Sequence, residues 1–281
     1  MPEMPEVETI RRDLEKEIKN EKIVTFEVKT ASQFKSSKSA SKILKSLIGK
    51  KIVKFERIGK LLIFQLSDKQ NYLLCHLRMT GQLILTNKLE TKQNPKNKHT
   101  HIVIKFENGK LLNFNDIRKF GYLQLCTLEE KNTIKEKFGI EPLSTNFNLQ
   151  NFTKALGIRK APIKNILLNQ KLIAGIGNIY ADEICFSAKI NPQKPTSKLS
   201  KIEIKNLFNF TQKVIEKAIE QRGTSFSDYR DGKGNKGNYL KMLNVYGKSG
   251  KNCTICKTII SKIKLAGRGT HFCSKCQSTN W

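Results

Sequence analysis

Residues 253–276 read CTICKTIISKIKLAGRGTHFCSKC and contain two Cys-x2-Cys pairs. Cys253 pairs with Cys256 and Cys273 with Cys276, and a stretch of hairpin length lies between them. Four thiolates at this spacing are typical of a closed zinc site built on the two knuckles of a β-hairpin. A redox dithiol or an iron site is the alternative. The pattern therefore predicts a C-terminal zinc-finger β-hairpin with one structural Zn2+.

The composition indicates a polyanionic partner. The 281 residues include 52 Lys and Arg against 24 Asp and Glu, which gives a formal charge of +28. Self-repulsion of this size favours nucleic acid as the partner. A lysine-rich composition bias with no ligand is the alternative source of the charge. Since no apolar run reaches signal-peptide or membrane-spanning length, we expect a soluble, cytoplasmic protein.

The N-terminal half is patterned first as a helix and then as strands. Apolar residues recur at helical spacing through EVETIRRDLEKEI, which predicts an amphipathic helix starting near Pro5. From about Lys22 to Thr127 short alternating runs such as KIVKF and HIVIKF are separated by turn signals. These runs predict an antiparallel β-sandwich or barrel.

The C-terminal half is predicted to be helical up to the zinc module. APIKNILLNQ leads into the glycine turn AGIGN and then into IYADEICFSAK. A long helix follows, beginning at the capping box of Ser200 and Glu203 and ending at Gly223. Residues 223–238 are polar and glycine-rich, with no periodic apolar side chains. We expect a mobile loop there, either a functional lid or a plain linker.

The N-terminus offers an unusual chemistry. Proline at position 2 permits removal of Met1, which leaves a secondary amine with an ordinary pKa near 8 that the following helix lowers. Such an amine attacks the C1′ carbon of a sugar, and the iminium that forms is the electron sink for β-elimination of the 3′ phosphate. Glu3 stands beside it to move protons.

The motifs together resemble one family. MPEMPEVET, Gly59-Lys60, HLRMTG, KHTH, NDIRKFG, AGIGNIYADE and GRGTHFCSKCQ stand in this order along the chain. In this order they are similar to the formamidopyrimidine-DNA glycosylase family. The resemblance implies an α+β protein with a catalytic N-terminal β-sandwich at 1–135 and a helix-two-turn-helix domain at 145–240 with a lesion loop at 223–238. A four-cysteine zinc finger follows at 243–281.

The resemblance also implies an activity. Members of the family excise oxidised purines and then cleave the strand by β,δ-elimination, acting as monomers on double-stranded DNA that contains oxidised bases or abasic sites. Pro2 resembles the Schiff-base nucleophile and Glu3 the acid that helps release the base. Lys60 resembles the proton donor for β-elimination, and Arg268 the group for δ-elimination and phosphate binding. The protein would then associate with the bacterial nucleoid through DNA.

The resemblance assigns further residues to DNA. The expected contacts with DNA are His99, Arg118, Arg159, Lys164 and Asn178. Three residues match the set that fills the gap left by the everted nucleotide, namely Met79, Arg118 and Phe120. Without the resemblance, Met79 and Phe120 are ordinary strand or core residues, and Lys60 is an exposed turn lysine. No role follows for Cys75, Cys126, Cys185 or Trp281.

Four positions depart from the family pattern. Met4 replaces Leu, which conserves volume. Arg78 stands where Gly is common beside the methionine wedge, and Thr100 replaces an acidic residue. Lys119 replaces Arg and so supplies one charge but no planar fork. These changes bear on lesion preference and affinity, and they leave the covalent chemistry alone.

Two other functions remain open on the sequence. One is the sister endonuclease VIII type, which prefers oxidised pyrimidines and shares the N-terminal amine. The other is a non-catalytic zinc protein that binds nucleic acid through its basic surface, in which Pro2 and Glu3 are dispensable. The wedge residues and the long loop at 223–238 favour the purine enzyme.

Overall fold

The computed structural model describes residues 1–36, 45–87, 98–226 and 228–278, and Trp281 lies outside them. The described chain divides into two compact units. Unit 1 contains residues 1–136 and 221–238, and unit 2 contains residues 137–220 and 239–281. None of the described helices is long and apolar enough to cross a bilayer.

Unit 1 begins with helix α1, Met4–Ile18, which confirms the predicted amphipathic helix. Its apolar stripe of Val7, Ile10, Leu14 and Ile18 is completely buried. A residue at every third or fourth position faces the same side of a helix, so this stripe packs on the sandwich. Burial of four such side chains stabilises the helix by about 1.5–3 kcal/mol each.

The strands of unit 1 form two sheets. A four-stranded sheet has the order β1-β7-β8-β6, and a five-stranded sheet has the order β2-β9-β5-β4-β3. All ladders are antiparallel except the short β2–β9 pair, which is parallel. The strands are β1 Ile23–Val28, β2 Phe34–Lys35, β3 Ile52–Ile58, β4 Leu61–Leu66, β5 Asn71–His76, β6 Gly81–Asn87, β7 Thr100–Phe106, β8 Lys110–Asp116 and β9 Tyr122–Thr127.

One core holds the sheets and α1 together, and it includes Phe64, Phe106 and Phe114. The predicted β-sandwich with a flanking helix is therefore confirmed. Helix α2, Leu128–Lys135, follows β9, and the capping box of Thr127 and Glu130 forms its N-terminus.

Unit 2 contains the remaining helices and the zinc hairpin. The helices are α3 Leu149–Leu156, α4 Ile163–Leu167, α5 Asn178–Ser187 and α6 Lys201–Glu220. Residues 168–177 connect α4 to α5 through the two turns that the glycine motif predicts. The amide of Gly175 donates to Gln170 Oε1 at 2.9 Å, and Gln170 Nε2 donates to the carbonyl of Ile176 at 2.8 Å.

The long helix α6 begins as predicted. The amide of Ser200 donates to Glu203 Oε2 at 2.8 Å, and the amide of Glu203 donates to Ser200 Oγ at 3.2 Å. These reciprocal bonds satisfy two donors that a helix start otherwise leaves without partners. Helix α6 therefore has the fixed N-terminus that its sequence predicts.

The zinc hairpin consists of β10, Ser261–Leu265, and β11, Arg268–Phe272. Its core is small and contains Phe186 of α5 and Val245 in addition to buried cysteines. Because so short a segment cannot bury a core of its own, it packs on α5. The zinc finger and the helices therefore belong to one compact unit.

The segment 221–238 belongs to the compact unit of the β-sandwich. It has few apolar side chains, but its described residues make buried polar contacts with α1. The amide of Thr224 donates to Glu6 Oε1 at 2.7 Å, and the amide of Gly232 donates to Asp13 Oδ2 at 3.1 Å. These contacts connect the segment to α1, and its mobility as a lesion loop stays a prediction.

Candidate active site and nucleic-acid interface

The N-terminal arm of unit 1 lies directly before α1. Pro2 and Glu3 are both buried, and Glu3 is 2% exposed. The amide of Glu3 donates to Glu6 Oε2 at 2.7 Å, and the two residues form the capping box of α1. The cap therefore fixes the backbone of the Pro2–Glu3 arm at the start of α1.

Glu6 was not singled out by the sequence, and it links the arm to the segment 221–238. One carboxylate oxygen accepts from the Glu3 amide and the other from the Thr224 amide. Gly223 has φ +79, and a Cβ at this position would lie 2.7 Å from Glu6 Oε1. The glycine is therefore required both by the backbone and by the approach of this carboxylate.

Lys60 is buried rather than exposed in its turn. It is 8% exposed and follows Gly59, which has φ +55. Ile58 pairs with Leu61 across the β3–β4 hairpin, so the turn has only two residues. A lysine at the tip of a tight turn is usually exposed, because water then solvates its charge. The burial of Lys60 is therefore uncommon.

The three predicted wedge residues are grouped on unit 1. Met79 is 42% exposed and Phe120 is 54% exposed. Arg118 Nη1 lies 3.0 Å from Met79 Sδ, and its guanidinium carbon lies 4.6 Å from the centre of the Phe120 ring. Exposed apolar side chains held beside a cation form a surface that can replace a base in the stack.

Asp116 holds the turn that contains Arg118 and Phe120. No role for Asp116 is predicted from the sequence. It is fully buried. Its carboxylate accepts from the Gly121 amide at 2.7 Å, from the Arg118 amide at 3.2 Å and from Thr80 Oγ1. The only signal available was its place inside NDIRKFG, because a single Asp has no periodic pattern.

His99 lines a pocket of about 180 Å3 in unit 1. Its other lining residues are Thr80, Gln82, Asn115, Asp116, Ile117, Asp228 and Arg230. Two of these, Asp228 and Arg230, come from the segment 221–238. This segment therefore lines a cavity beside the wedge residues.

Two of the departures have a structural reason. Arg78 has φ +52, a conformation that glycine adopts without strain, and its amide donates to His76 Nδ1 at 3.0 Å. Thr100 is buried, and its hydroxyl donates to Asn115 Oδ1 at 2.6 Å. The common glycine fits the left-handed backbone at position 78, and Thr100 is satisfied without an acidic group.

Lys164 of unit 2 does not point to solvent. It is completely buried, and its ammonium lies 2.7 Å from Asp182 Oδ1, 3.0 Å from the carbonyl of Gly269 and 2.9 Å from Thr270 Oγ1. Two of these contacts are hydrogen bonds, to the carbonyl of Gly269 and to Thr270 Oγ1, and the contact with Asp182 is a buried ion pair. The ammonium of Lys164 therefore faces protein groups in this structure, and its contact with phosphate stays a prediction.

Asp182 joins the same buried group to the zinc hairpin. Its Oδ2 accepts from the amide of His271 at 2.8 Å and lies 3.1 Å from His271 Nδ1. Asn178, the first residue of α5, donates from Nδ2 to the carbonyl of Gly269 at 3.0 Å. The strand that starts with Arg268 is thus fixed to the start of α5.

Arg268 and Arg159 are placed differently in unit 2. Arg268 is exposed, follows Gly267 with φ +77, and lines a groove with Asn165, Leu168, Asn169 and Ala266. Arg159 is half-buried, and its Nη1 donates to the carbonyl of Ala155 at 3.3 Å. The exposed guanidinium of Arg268 is available to a phosphate.

The four cysteines of the hairpin converge as their spacing predicts. All four sulfur atoms lie within 4.8 Å of one another. Tetrahedral zinc at about 2.3 Å from each sulfur requires sulfur–sulfur distances of about 3.8 Å. Cys253 and Cys276 are 3.9 Å apart, and Cys256 and Cys273 are 3.3 Å apart. The cluster is therefore suited to one zinc ion, with no fifth position for substrate.

Zinc removal tests this centre. A strong chelator is expected to unfold residues 250–278 while leaving the β-sandwich intact, because the hairpin core depends on Cys253 and Cys273. Residue-resolved hydrogen exchange with and without chelator measures the effect. Metal analysis should give one zinc per chain, none in Cys273→Ser and one in the control Cys126→Ser. Unchanged protection of the hairpin after metal loss would contradict a structural role.

Comparison with protein families identifies the class of this chain. Three family models match the chain in order: the formamidopyrimidine-DNA glycosylase N-terminal domain at residues 1–123, the formamidopyrimidine-DNA glycosylase H2TH domain at 138–230, and a zinc finger found in FPG and IleRS at 250–279. This set defines a DNA glycosylase of the helix-two-turn-helix class.

Individual relatives agree over the whole length. A formamidopyrimidine-DNA glycosylase of Streptococcus thermophilus is 41% identical over 279 residues, which cover 99% of each chain. The Lactococcus lactis enzyme in complex with abasic-site DNA is 38% identical, with a TM-score of 0.89 over 99% of this chain and 100% of that one. Its complex with DNA that contains Fapy-dG matches with a TM-score of 0.88, 38% identity and the same coverage. The chain belongs to the formamidopyrimidine-DNA glycosylase family, whose members combine glycosylase and AP lyase activity.

Proposed function

We propose that this protein excises 8-oxoguanine and formamidopyrimidines from double-stranded DNA and then cleaves the strand at the abasic site by β,δ-elimination. The observation that carries the proposal is the buried Pro2–Glu3 arm, fixed by Glu6 at the start of α1. An N-terminal amine and a carboxyl group on adjacent buried residues supply a nucleophile and an acid. Because its proposed substrate is DNA, the protein would act at the nucleoid in the bacterial cytoplasm.

The chemistry begins once Met1 is removed and the Pro2 nitrogen becomes a secondary amine. The amine forms a bond to C1′ of the damaged nucleotide as the C1′–N bond to the base breaks, and the departing base takes up the proton that the Pro2 nitrogen loses. The C1′–O4′ bond then breaks, and Glu3 donates a proton to O4′. The product is an iminium between Pro2 and C1′. Loss of a C2′ proton then breaks the C3′–O3′ bond, and a second elimination breaks the C5′–O5′ bond. Hydrolysis of the imine releases Pro2.

Lys60 and Arg268 serve the elimination steps in this proposal. Lys60 delivers a proton for β-elimination from its turn, and it is buried in the same unit as the arm. The exposed guanidinium of Arg268 binds the phosphate that leaves in δ-elimination.

DNA is held by side chains of both units. His99, Arg118, Arg159 and Asn178 contact the backbone, and Met79, Arg118 and Phe120 fill the space of the everted nucleotide, which offsets part of the unstacking cost. Lys164 acts indirectly here, because its ammonium is used inside unit 2 to fix the strand of Arg268. The segment 223–238 lines the pocket beside His99 and contacts the damaged base.

A comparison of substrates tests the function. Single-turnover excision of 8-oxoguanine opposite cytosine is expected to exceed that of thymine glycol by about tenfold or more, because a pocket discriminates by the polar groups it leaves unpaired. A duplex with a preformed abasic site controls for strand cleavage, and undamaged duplex for background. Faster removal of thymine glycol would favour the endonuclease VIII type, and no excision from either would favour the non-catalytic zinc protein.

A further inference from the structure

Arg57 connects the Lys60 turn to α1 through a single guanidinium. Its Nη1 donates to the carbonyl of Gly59 at 2.9 Å, and its Nε donates to Glu8 Oε2 at 3.0 Å. The Arg57 side chain is only 8% exposed. A planar guanidinium with donors in a fixed fork holds two acceptors at a constant angle, which a flexible ammonium does not do.

Glu8 is fixed in turn by two more arginines of α1. Arg11 donates to both of its oxygens, at 3.1 and 3.0 Å, and Arg12 donates to Oε1 at 2.8 Å. Burial alone would raise the pKa of Glu8, but these hydrogen bonds and the charge of Arg57 lower it to about 2. Glu8 is therefore ionised at every pH at which the enzyme would be assayed.

The arginine–glutamate cluster lies between the two halves of the proposed catalytic group of unit 1. Glu8 is about one helical turn beyond the start of α1, and the Pro2–Glu3 arm immediately precedes that start. Lys60 immediately follows Gly59, the residue whose carbonyl Arg57 holds. Arg11 adds a bond from Nη1 to the carbonyl of Phe55 at 3.2 Å, so strand β3 is tied to α1 at two points.

A single ion pair between a strand and a helix contributes little to stability when it is exposed to water, but most of the side chains in this cluster are shielded from solvent. The side chains of Glu8 and Arg57 are 10% and 8% exposed, whereas that of Arg12 is 60% exposed. Salt bridges between exposed groups contribute little to stability, while a charged hydrogen bond shielded from water contributes more. Arg57 therefore holds the geometry of the turn, whereas Arg12 forms an ion pair on the surface of α1.

We infer that Glu8 and Arg57 are positioning residues that set the Lys60 turn relative to the Pro2–Glu3 arm, so that they control elimination and not Schiff-base formation. The inference rests on the proposed function. The amine and the acid of the first step are both in the arm, which Glu6 fixes independently of Arg57. Only the second step uses a group on the turn.

Arg57→Met in the full-length, zinc-loaded protein separates the two steps. With a duplex containing a preformed abasic site, the rate of strand cleavage is expected to fall about 10–100-fold, since a displacement near 1 Å at a reacting group costs about this much. The initial rate at which the borohydride-trapped complex forms should stay within about twofold of the rate of the unmodified protein. This change is much smaller than the one expected for a displaced reacting group. The ratio of trapped complex to cleaved strand therefore rises.

Arg12→Met is the matched control, because it removes one Glu8 partner and no contact with the turn. It should leave both rates unchanged. Arg57→Lys covers the case in which Arg57→Met does not fold: it keeps the charge beside Glu8 but loses the fork, and its ratio should rise in the same direction.

The outcomes are distinguishable. A parallel fall of trapping and cleavage in the Arg57 variants, or no change in either, overturns the positioning role. The same rise in Arg12→Met also overturns it, since that residue does not contact the turn. Absence of trapping and cleavage in the unmodified protein contradicts the proposed function itself.

Discussion

Protein that retains Met1 is expected to form no borohydride-trapped complex with DNA containing 8-oxoguanine or an abasic site. With Met1 in place the Pro2 nitrogen is an amide, whose lone pair is delocalised and does not attack C1′. Retention of Met1 should leave the fold unchanged, since Met1 is 45% exposed and precedes the buried arm. The comparison therefore removes the nucleophile and little else.

The measurement uses protein made with and without inhibition of methionine removal, with intact mass confirming each N-terminus. The processed protein should give a stable covalent complex after borohydride reduction, and the unprocessed protein none. Equal trapping by both would show that another amine is the nucleophile, with Lys60 as the first candidate.

Glu3→Gln provides the companion variant at the acid. The amide keeps an oxygen that can accept the same cap hydrogen bond, so the start of α1 should remain folded. It does not transfer a proton, and loss of general acid catalysis lowers the rate of base excision by about 10²–10⁴-fold. Circular dichroism and thermal melting serve as the folding control.

Lys164→Met is expected to lower the free energy of unfolding of unit 2 by about 3–5 kcal/mol, because it leaves the Asp182 carboxylate buried without its cation. Lys164 and Asp182 have side chains that are 1% and 0% exposed. A loss of this size is a large fraction of the stability of a domain, which is about 5–15 kcal/mol. Urea denaturation followed by a probe in α5 measures it.

A double variant gives the matched control for this pair. Lys164→Met with Asp182→Leu removes both charges and should recover much of the loss, because neither group remains buried and unpaired. The hydrogen bond that the His271 amide donates to Asp182 is lost as well, so recovery is incomplete. A change below about 1 kcal/mol in the single variant, the size of a surface pair, would contradict the buried ion pair.

The sequence predicts the elements whose signal is local and periodic. The apolar stripe of α1, the capping box at Ser200 and the spacing of the four cysteines each arise from residues close together in the chain. Their geometry follows from helix and hairpin repeats alone, and the structure agrees with all three. The resemblance to a family supplied the remaining site residues, including those that no pattern distinguishes from surface lysines.

Polar pairs between distant positions could not be predicted. Glu6 contacts Thr224 and Asp13 contacts Gly232 across more than 200 residues, and Arg57 contacts Glu8 across 49. A buried carboxylate has no period, and its partner is often a backbone amide that leaves no mark in the sequence. For the same reason Lys164 could not be told from a solvated lysine until Asp182 was placed beside it.

The double use of Glu6 gives the enzyme an internal thermodynamic linkage. Its two oxygens accept one donor from the catalytic arm and one from the segment at Thr224. Any rearrangement that withdraws Thr224 removes a hydrogen bond from this buried carboxylate, at a cost of about 1–3 kcal/mol. If a change at one of the two contacts alters the strength of the other, linkage requires the same coupling free energy in the reverse direction. A movement of the segment 221–238 is therefore expected to act on the Pro2–Glu3 arm through the side chain of Glu6.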